Sequence, residues 1–418
     1  MSNQVPADWI VSSLADISKF RRGSFPQPYG NPEWFDDNGF PFVQVFDLGF
    51  GNLLKASTKV RISDLAAKKS VFAPKGTVLV SIQGSIGRVV VTQYDAYVDR
   101  TILIFEEIAS HIDKDFFALM VREIFSVKKN EADGGVILTI TKETLKNFLM
   151  VLPPLPEQQK IAAILTSVDE VIEKTQAQID KLKDLKSGMM QELLTKGVGI
   201  KQGDKYEPHT EFKDSPVGRI PKSWDCILLD KVAKRGSGHT PDKQKTEYWN
   251  GGIKWISLSD SSKLDNLHIH DSSKKISQLG IDNSSATLHP EGSVIMARDA
   301  GIGKSAIITS AMAVSQHFMA WVCGEKLNNY FLYYLLQLWK PTFENIAMGS
   351  TIKTIGLPYF KKLQIPVPPI EEQKIIADSL ISVENKIFAL QQKYTALSNT
   401  KKALMQDLLT GKVRVKLD

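Results

Sequence analysis

Cysteine is nearly absent: Cys226 and Cys323 are the only two in 418 residues. That excludes a disulfide framework, and because both fall in strand-like stretches they read as buried thiols in a reducing compartment. No run approaches the roughly 18 apolar residues of a membrane span, and the start MSNQVPADWI lacks the basic-then-apolar order of a secretory signal. A cytoplasmic chain without membrane contact is expected. Histidine is also scarce, at seven. His268 and His270 alternate on a strand-like stretch with no cysteine nearby, which favours solvated or packed imidazoles over a metal site, and no metal ligand is assigned.

Catalytic motifs are missing as well. Leu48-Gly49-Phe50-Gly51-Asn52 could pass for the glycine turn of a methyl-donor site, but no Asn/Asp-Pro-Pro-aromatic tetrapeptide exists to place a target amine. Gly301-Ile302-Gly303-Lys304-Ser305 ends like a phosphate-binding loop, yet Arg298 stands where that pattern needs its first glycine. Its counterpart, Gly84-Ser85-Ile86-Gly87-Arg88, lacks the Ser/Thr, and both run from strand into strand, with no helix N-terminus to hold a phosphate. Pro241-Asp242-Lys243 lacks the acidic-x-Lys element of a nuclease. No catalytic residue is assigned.

What is present is a duplication. Residues 153–198 and 368–413 align without a gap at an offset of 215 (368 − 153), with 19 identities in 46 positions. So long a period marks duplication of a whole folded unit rather than a solenoid repeat. Positions 161, 165, 168, 172, 175, 179, 182, 186, 189 and 193 alternate by four and three, the spacing of a coiled-coil seam. Ile161, Leu165, Val168, Ile172, Ile179 and Leu182 form the first stripe, interrupted by Thr175 and Lys186. Ile376, Leu380, Val383, Ile387, Leu390 and Leu397 form the second, broken only at Lys401. Prolines 153, 154 and 156 mark an entrance, and Gly197 and Gly411 mark exits. Each copy therefore reads as one helix of about 60 Å, expected to pack antiparallel on the other and to act as a ruler. Packing of each helix on its own globular domain is the alternative.

The duplication reaches into the globular halves. Trp9 and Trp224 share the offset, PKGTVLVSIQGSIGRVVV faces PEGSVIMARDAGIGKSAII, and Thr139, Ile140 and Leu145 stand opposite Thr354, Ile355 and Phe360. Short strands mixed with helical patches at Lys114–Ile124 and Asn328–Leu338 give an α+β class, with two similar α/β globular domains and a pseudo-twofold repeat. The expected division is 1–152 and 217–366 for the globular domains, 153–198 and 367–418 for the helices, and 199–216 for a polar surface linker.

The net charge of +6 permits nucleic-acid binding without demanding it. Cationic and amide side chains at expected turns carry the suggestion further, because phosphate contacts supply affinity and base-edge contacts discriminate sequence. The candidates are Lys19, Arg21, Arg22, Gln27, Tyr29, Gln83, Ser85 and Arg88 in the first half, and Lys234, Arg235, His239, Lys243, Arg298, Asp299 and Lys304 in the second. Each alone also fits a solvated surface group; together they favour DNA.

The repeated PPLPEQQ and PPIEEQ entrances, the Leu-Leu-Thr-Lys and Leu-Leu-Thr-Gly exits, the Gly218-Arg219-Ile220-Pro221-x-x-Trp224 start of the second half and the paired GSIGR and AGIGK turns resemble the specificity subunit of type I restriction-modification enzymes. The resemblance spans essentially the whole chain. It implies two target recognition domains, each reading one part of a split, asymmetric double-stranded DNA site, and helical spacers that pair and dock two modification subunits. It further implies that S-adenosylmethionine is bound by the modification subunits and that ATP and magnesium serve motor-nuclease (restriction) subunits, so this non-catalytic chain binds no cofactor. Two rivals remain: a scaffold bridging two proteins without touching nucleic acid, and a self-sufficient methyltransferase or nuclease, which the missing motifs disfavour.

Overall fold

Strands rich in valine and isoleucine organise each globular half. In the first, one sheet runs in the order Ser18–Arg22, Ile102–Ile108, Val78–Ser81, Val89–Val91, and a second in the order Val60–Ile62, Phe35–Val43, Ala96–Val98, Val71–Ala73. The central strands have two buried faces, and side chains two apart share a face. Val78 and Val80 enter the cluster beneath helix Lys114–Glu131, while Leu79 enters the cluster around Val43, Leu48 and Val98. Leu103 and Phe105 take the first side, Ile102 and Ile104 the second. A computed structural model of the chain describes residues 6–49, 53–131, 145–203, 205–348 and 353–417. Phe50, Gly51, Asn52, Thr139 and Ile140 of the sequence reading lie outside them.

The second half repeats the plan. Its larger sheet runs Ala233–Ser237, Phe318–Cys323, Val294–Ala297, Ser305–Ile308, His268–Ile269, and its smaller one Lys274–Ile276, Trp249–Ile256, Met312–Val314, Leu288–His289. Val294 and Met296 face helix Asn329–Leu338, whereas Ile295 and Ala297 face the other sheet. Among the described residues of the first half, the counterpart of strand His268–Ile269 is an isolated bridge from Leu53 to Val91. His268 bonds Tyr330 Oη at 3.1 Å and His270 bonds Thr309 Oγ1 at 3.1 Å, so both imidazoles are held by hydroxyls. Cys226 and Cys323 are half-buried free thiols, and burial pushes the Cys323 thiol up to about 12.

Two long helices, Leu155–Lys196 and Ile370–Leu409, follow the globular halves. Their entrances are built alike. The amide of Gln158 accepts from Asp113 N at 2.8 Å and donates to the His111 and Pro153 carbonyls; Gln373 does the same with Asn328 N, Lys326 and Pro368. Every partner obeys the 215 offset. At the exits Gly197 and Gly411 adopt φ of +76° and +73°, the left-handed conformation that ends helices and that a side chain resists.

The chain divides into two units, Met1–Ile179 with Leu390–Asp418, and Asp180–Ala389. In the first, Ile161, Ala162 and Leu165 share a core with Met405, Leu408 and Leu409, while Asp169 binds Lys401, so the two helical segments run antiparallel. In the second, Leu194 joins Ile376 and Leu380, and Lys186 binds Glu384 at 3.0 Å, again antiparallel.

The apolar stripe does more than form a seam. Ile161, Leu165, Ile376 and Leu380 are wholly buried in the globular cores, so the entrance turns pack on their own domains as well as on the other helix. Ile179 and Ile387 are also buried, whereas Val168, Ile172, Leu182, Val383, Leu390 and Leu397 are half-buried and belong to neither core. The polar interruptions are explained too: Lys186 and Lys401, equivalent by the repeat, each reach an acid on the opposing helix, and Thr175 returns its hydroxyl to the Val171 carbonyl. A charged residue in such a stripe fixes register at some cost in stability.

The linker also differs from a plain surface strap. It carries the hairpin of Ile200–Gln202 with Lys205–Glu207, its strand Phe212–Ser215 pairs with Gly218–Pro221 at the start of the second globular half, and it buries the His209 side chain against Glu372.

Candidate nucleic-acid interface

Each helix entrance places one carboxylate under its domain. Trp9 Nε1 donates to Glu157 at 3.2 Å, and Trp224 Nε1 donates to Glu372 at 2.9 Å. Glu157 is completed by Arg414, which also forks onto Asp8 with two bonds of 2.9 Å. Glu372 is completed by the Val198 and Gly199 amides and His209. A buried carboxylate needs such partners to remain charged. These groups tie each helix entrance to the start of its own domain.

The sequence candidates scatter over different surroundings. Lys19 pairs with Glu107 at 2.6 Å and Arg21 with Glu106 at 3.8 Å along neighbouring exposed strands, which neutralises that face. Arg22 and Gln27 are exposed, and Gln83 and Ser85 sit in the glycine turn, half-buried and exposed respectively. Tyr29 is an anchor: its hydroxyl donates to Asp99 at 3.2 Å and accepts from Gln44, and burial together with Asp99 pushes it up to about 12. Arg88 lines a 370 Å³ cavity with Arg122, Asp169, Ile172, Ser398 and Lys401. Burial holds Lys401 and Arg122 below their ordinary ranges and raises Glu173 beside them.

In the second half Lys234 is exposed, and Arg235 is clamped by Asp230 through bonds of 2.9 to 3.1 Å. Lys304 is tied to Asp265 at 2.7 Å. Arg298 lies 3.6 Å from its neighbour Asp299. Lys243 lines a 670 Å³ cleft with Thr240, Trp249, Trp255, Gln316 and His317. His239 supplies the carbonyl that accepts the Trp255 indole N–H, and Asp299 holds His317 at 2.6 Å. Of the candidates, Lys243 lines this cleft, while His239 and Asp299 stand behind it, bonded to the lining residues Trp255 and His317.

Sequence reading passed over the turn that forms one lip of this cleft. Ser315, Gln316 and His317 carry the chain from one sheet to the other, between strands Met312–Val314 and Phe318–Cys323. The turn is pinned by Ser315 N to Ile256 O, Phe318 N to Ser315 O and Arg298 N to His317 O, at 2.8 to 3.1 Å. Asp99, Arg100 and Thr101 occupy the same place in the first half, pinned by Asp99 N to Val43 O, Ile102 N to Asp99 O and Ile82 N to Thr101 O, each at 3.0 Å. Gly238 and Gly23 let a neighbouring strand press on each turn: an added Cβ would lie 1.8 Å from Val314 O and 2.3 Å from Val98 O. The signal was there in the repeat, where Val98 and Val314 align at an offset of 216 and the next three residues all differ.

Comparison with known proteins agrees with this duplicated plan. Residues 6–184 and 221–399 both match the family described as the type I restriction modification DNA specificity domain. The chain is 28% identical over 430 residues to the MjaVIII type I restriction enzyme specificity subunit of Methanocaldococcus jannaschii, covering 99% of this chain and 95% of that one. In fold it resembles the crystal structure of the type I restriction-modification S subunit from M. genitalium, with a TM-score of 0.60, 13% identity and coverage of 100% and 98%. A chain from a study of complex assembly and conformational transition in the type I R-M system aligns with a TM-score of 0.58, 16% identity and coverage of 98% and 100%. The two domain matches together span most of the sequence, and the chain belongs to the type I restriction modification DNA specificity family.

Proposed function

We propose that this chain is the sequence-recognition subunit of a type I restriction-modification complex, with each globular domain reading one half of a bipartite, asymmetric double-stranded DNA site. The observation that carries the reading is the contrast inside the repeat. Backbone anchors recur at matched positions in the two halves, yet all three side chains of the turn differ, including Arg100 and Gln316, which are exposed at its centre. A scaffold that needed one surface twice would keep both; a reader of two unlike half-sites must keep the frame and change the readers.

In this reading the readers are residues 1–152 and 217–366, joined through 199–216, and the spacers are 153–198 and 367–418. The spacers set the unread gap and dock two modification subunits, which supply S-adenosylmethionine and the methyl transfer. Restriction subunits, where present, supply ATP and magnesium chemistry. The chain itself takes no cofactor and works in the cytoplasm.

Adding one heptad to each helix tests the ruler. It lengthens the helices by about 10 Å, so the tolerated gap should grow by roughly three base pairs with both half-sites unchanged. Methylation mapping in cells that express the complex reads gap and half-sites together; an unchanged gap rejects the ruler. Affinity for DNA should also fall steeply with salt, which a protein-bridging scaffold would not show.

A further inference from the structure

We infer that the turn between the two sheets is a base-reading position in both domains, with Gln316 reading adenine and Arg100 reading guanine. This rests on the DNA-recognition reading above and assigns the contacts within it.

Gln316 is exposed at the lip of the cleft but is not loose. Thr240 Oγ1 donates to its Oε1 at 2.6 Å, which orients the amide, and its Nε2 lies 3.4 Å from His317 Nε2. For that nitrogen to accept, His317 must carry its proton on Nδ1, and Nδ1 donates to Asp299 at 2.6 Å. The other oxygen of Asp299 accepts from Thr354 Oγ1, and the Asp299 side chain is 12% exposed. One chain of bonds, Thr240 to Gln316 to His317 to Asp299, thus fixes both the tautomer and the amide. A glutamine amide offers two donors and two acceptor sites. One of each is used internally, so one donor and one acceptor remain, the complement of adenine N7 and N6–H₂ in the major groove. The indole N–H groups of Trp249 and Trp255 are both spent on backbone carbonyls, so neither offers a donor to a base.

Arg100 holds the equivalent place in the first domain. It is exposed, and no hydrogen bond or ion pair engages its guanidinium among the described residues. Its turn is fixed instead by Asp99, which accepts from Tyr29 and from the Thr101 amide at 3.0 Å. A free guanidinium fork matches guanine O6 and N7. His317 and Asp299 act through Gln316 and are positioning residues.

The test uses the full complex with its modification subunits and a random double-stranded DNA library, with sequencing of the bound fraction. Gln316→Arg should change one adenine of one half-site to guanine, with a preference shift of about tenfold or more at that position, leaving every other position alone. Arg100→Gln should make the opposite change in the other half-site. His317→Ala should flatten the adenine preference at the Gln316 position only, an outcome that general loosening of the fold would not produce. If the wild type enriches a motif and both substitutions leave it unaltered, the assignment is overturned; if the wild type enriches no motif, the DNA-recognition reading falls with it.

Discussion

The turns Asp99–Thr101 and Ser315–His317 hang from matching backbone bonds yet share no side chain, whereas Glu157 and Glu372 keep the same tryptophan and change the rest of their shell. The first contrast separates a frame from a reader. The second shows that a buried carboxylate constrains the polarity of its partners rather than their identity or number, three bonds from two residues serving Glu157 and four bonds from four residues serving Glu372. An arginine reaching back from residue 414 does for one what two backbone amides and a histidine do for the other. Duplication therefore preserves the physical requirement more faithfully than the residues that meet it.

The largest effect should come from breaking this pair unequally. Glu372→Ala strands Trp224, His209 and two amides in a buried site and should cost about 3–5 kcal/mol of folding stability in denaturant unfolding. Glu157→Ala should cost less, about 2 kcal/mol, because Arg414 keeps its fork onto Asp8. Equal losses would show that the two shells are energetically interchangeable.

Next are the ion pairs across the helices. A double-mutant cycle on Asp169 and Lys401 should give a coupling of about 1–3 kcal/mol, larger than that for Glu384 and Lys186. Asp169 and Lys401 are the more enclosed side chains, and although each acid has a second partner, Arg122 at 3.8 Å for Asp169 and the Tyr334 hydroxyl at 2.7 Å for Glu384, the deeper pair is screened less by solvent. A larger coupling for Glu384 and Lys186 would reverse the ranking.

A smaller effect concerns pH. Desolvation first, and then Asp169, raise Glu173 above the ordinary glutamate range. Its protonated form favours folding; that contribution is fully present below about 4.5 and is lost as pH rises through the raised folded value. Glu173→Gln should therefore flatten the stability profile of the first unit just above pH 4.5 and leave the unfolding profile of the second unchanged. Smallest is Lys19→Ala, which removes an exposed, solvent-screened pair with Glu107 and should leave the unfolding midpoint unchanged in the same assay.

Much of the frame was legible in sequence because gapless duplication and 4-3 spacing survive wherever a side chain must be buried. Both helices, their exits and most central strands follow from that. The interface was less legible. Lys19, Arg21 and Arg235 have the composition of phosphate contacts, but their acidic neighbours come from other strands or from a nearby turn, and pairing of that kind leaves no periodic mark. Gln316 and Arg100 were hidden for the opposite reason: one is an ordinary polar residue and the other a single arginine, and only their shared place between two sheets singles them out. Glu157 and Glu372 were visible as identities in the helix entrances, but their union with Trp9 and Trp224 needed the tertiary fold.

The first unit closes with residues 390–418, whereas the second is one unbroken stretch, Asp180–Ala389. During synthesis, at about 5–20 residues per second, the second unit has all its parts while the first still exposes the apolar sites later filled by Met405, Leu408 and Leu409. The half that is translated first is thus finished last, and its exposed core must be kept from aggregation on the ribosome until the distant segment arrives.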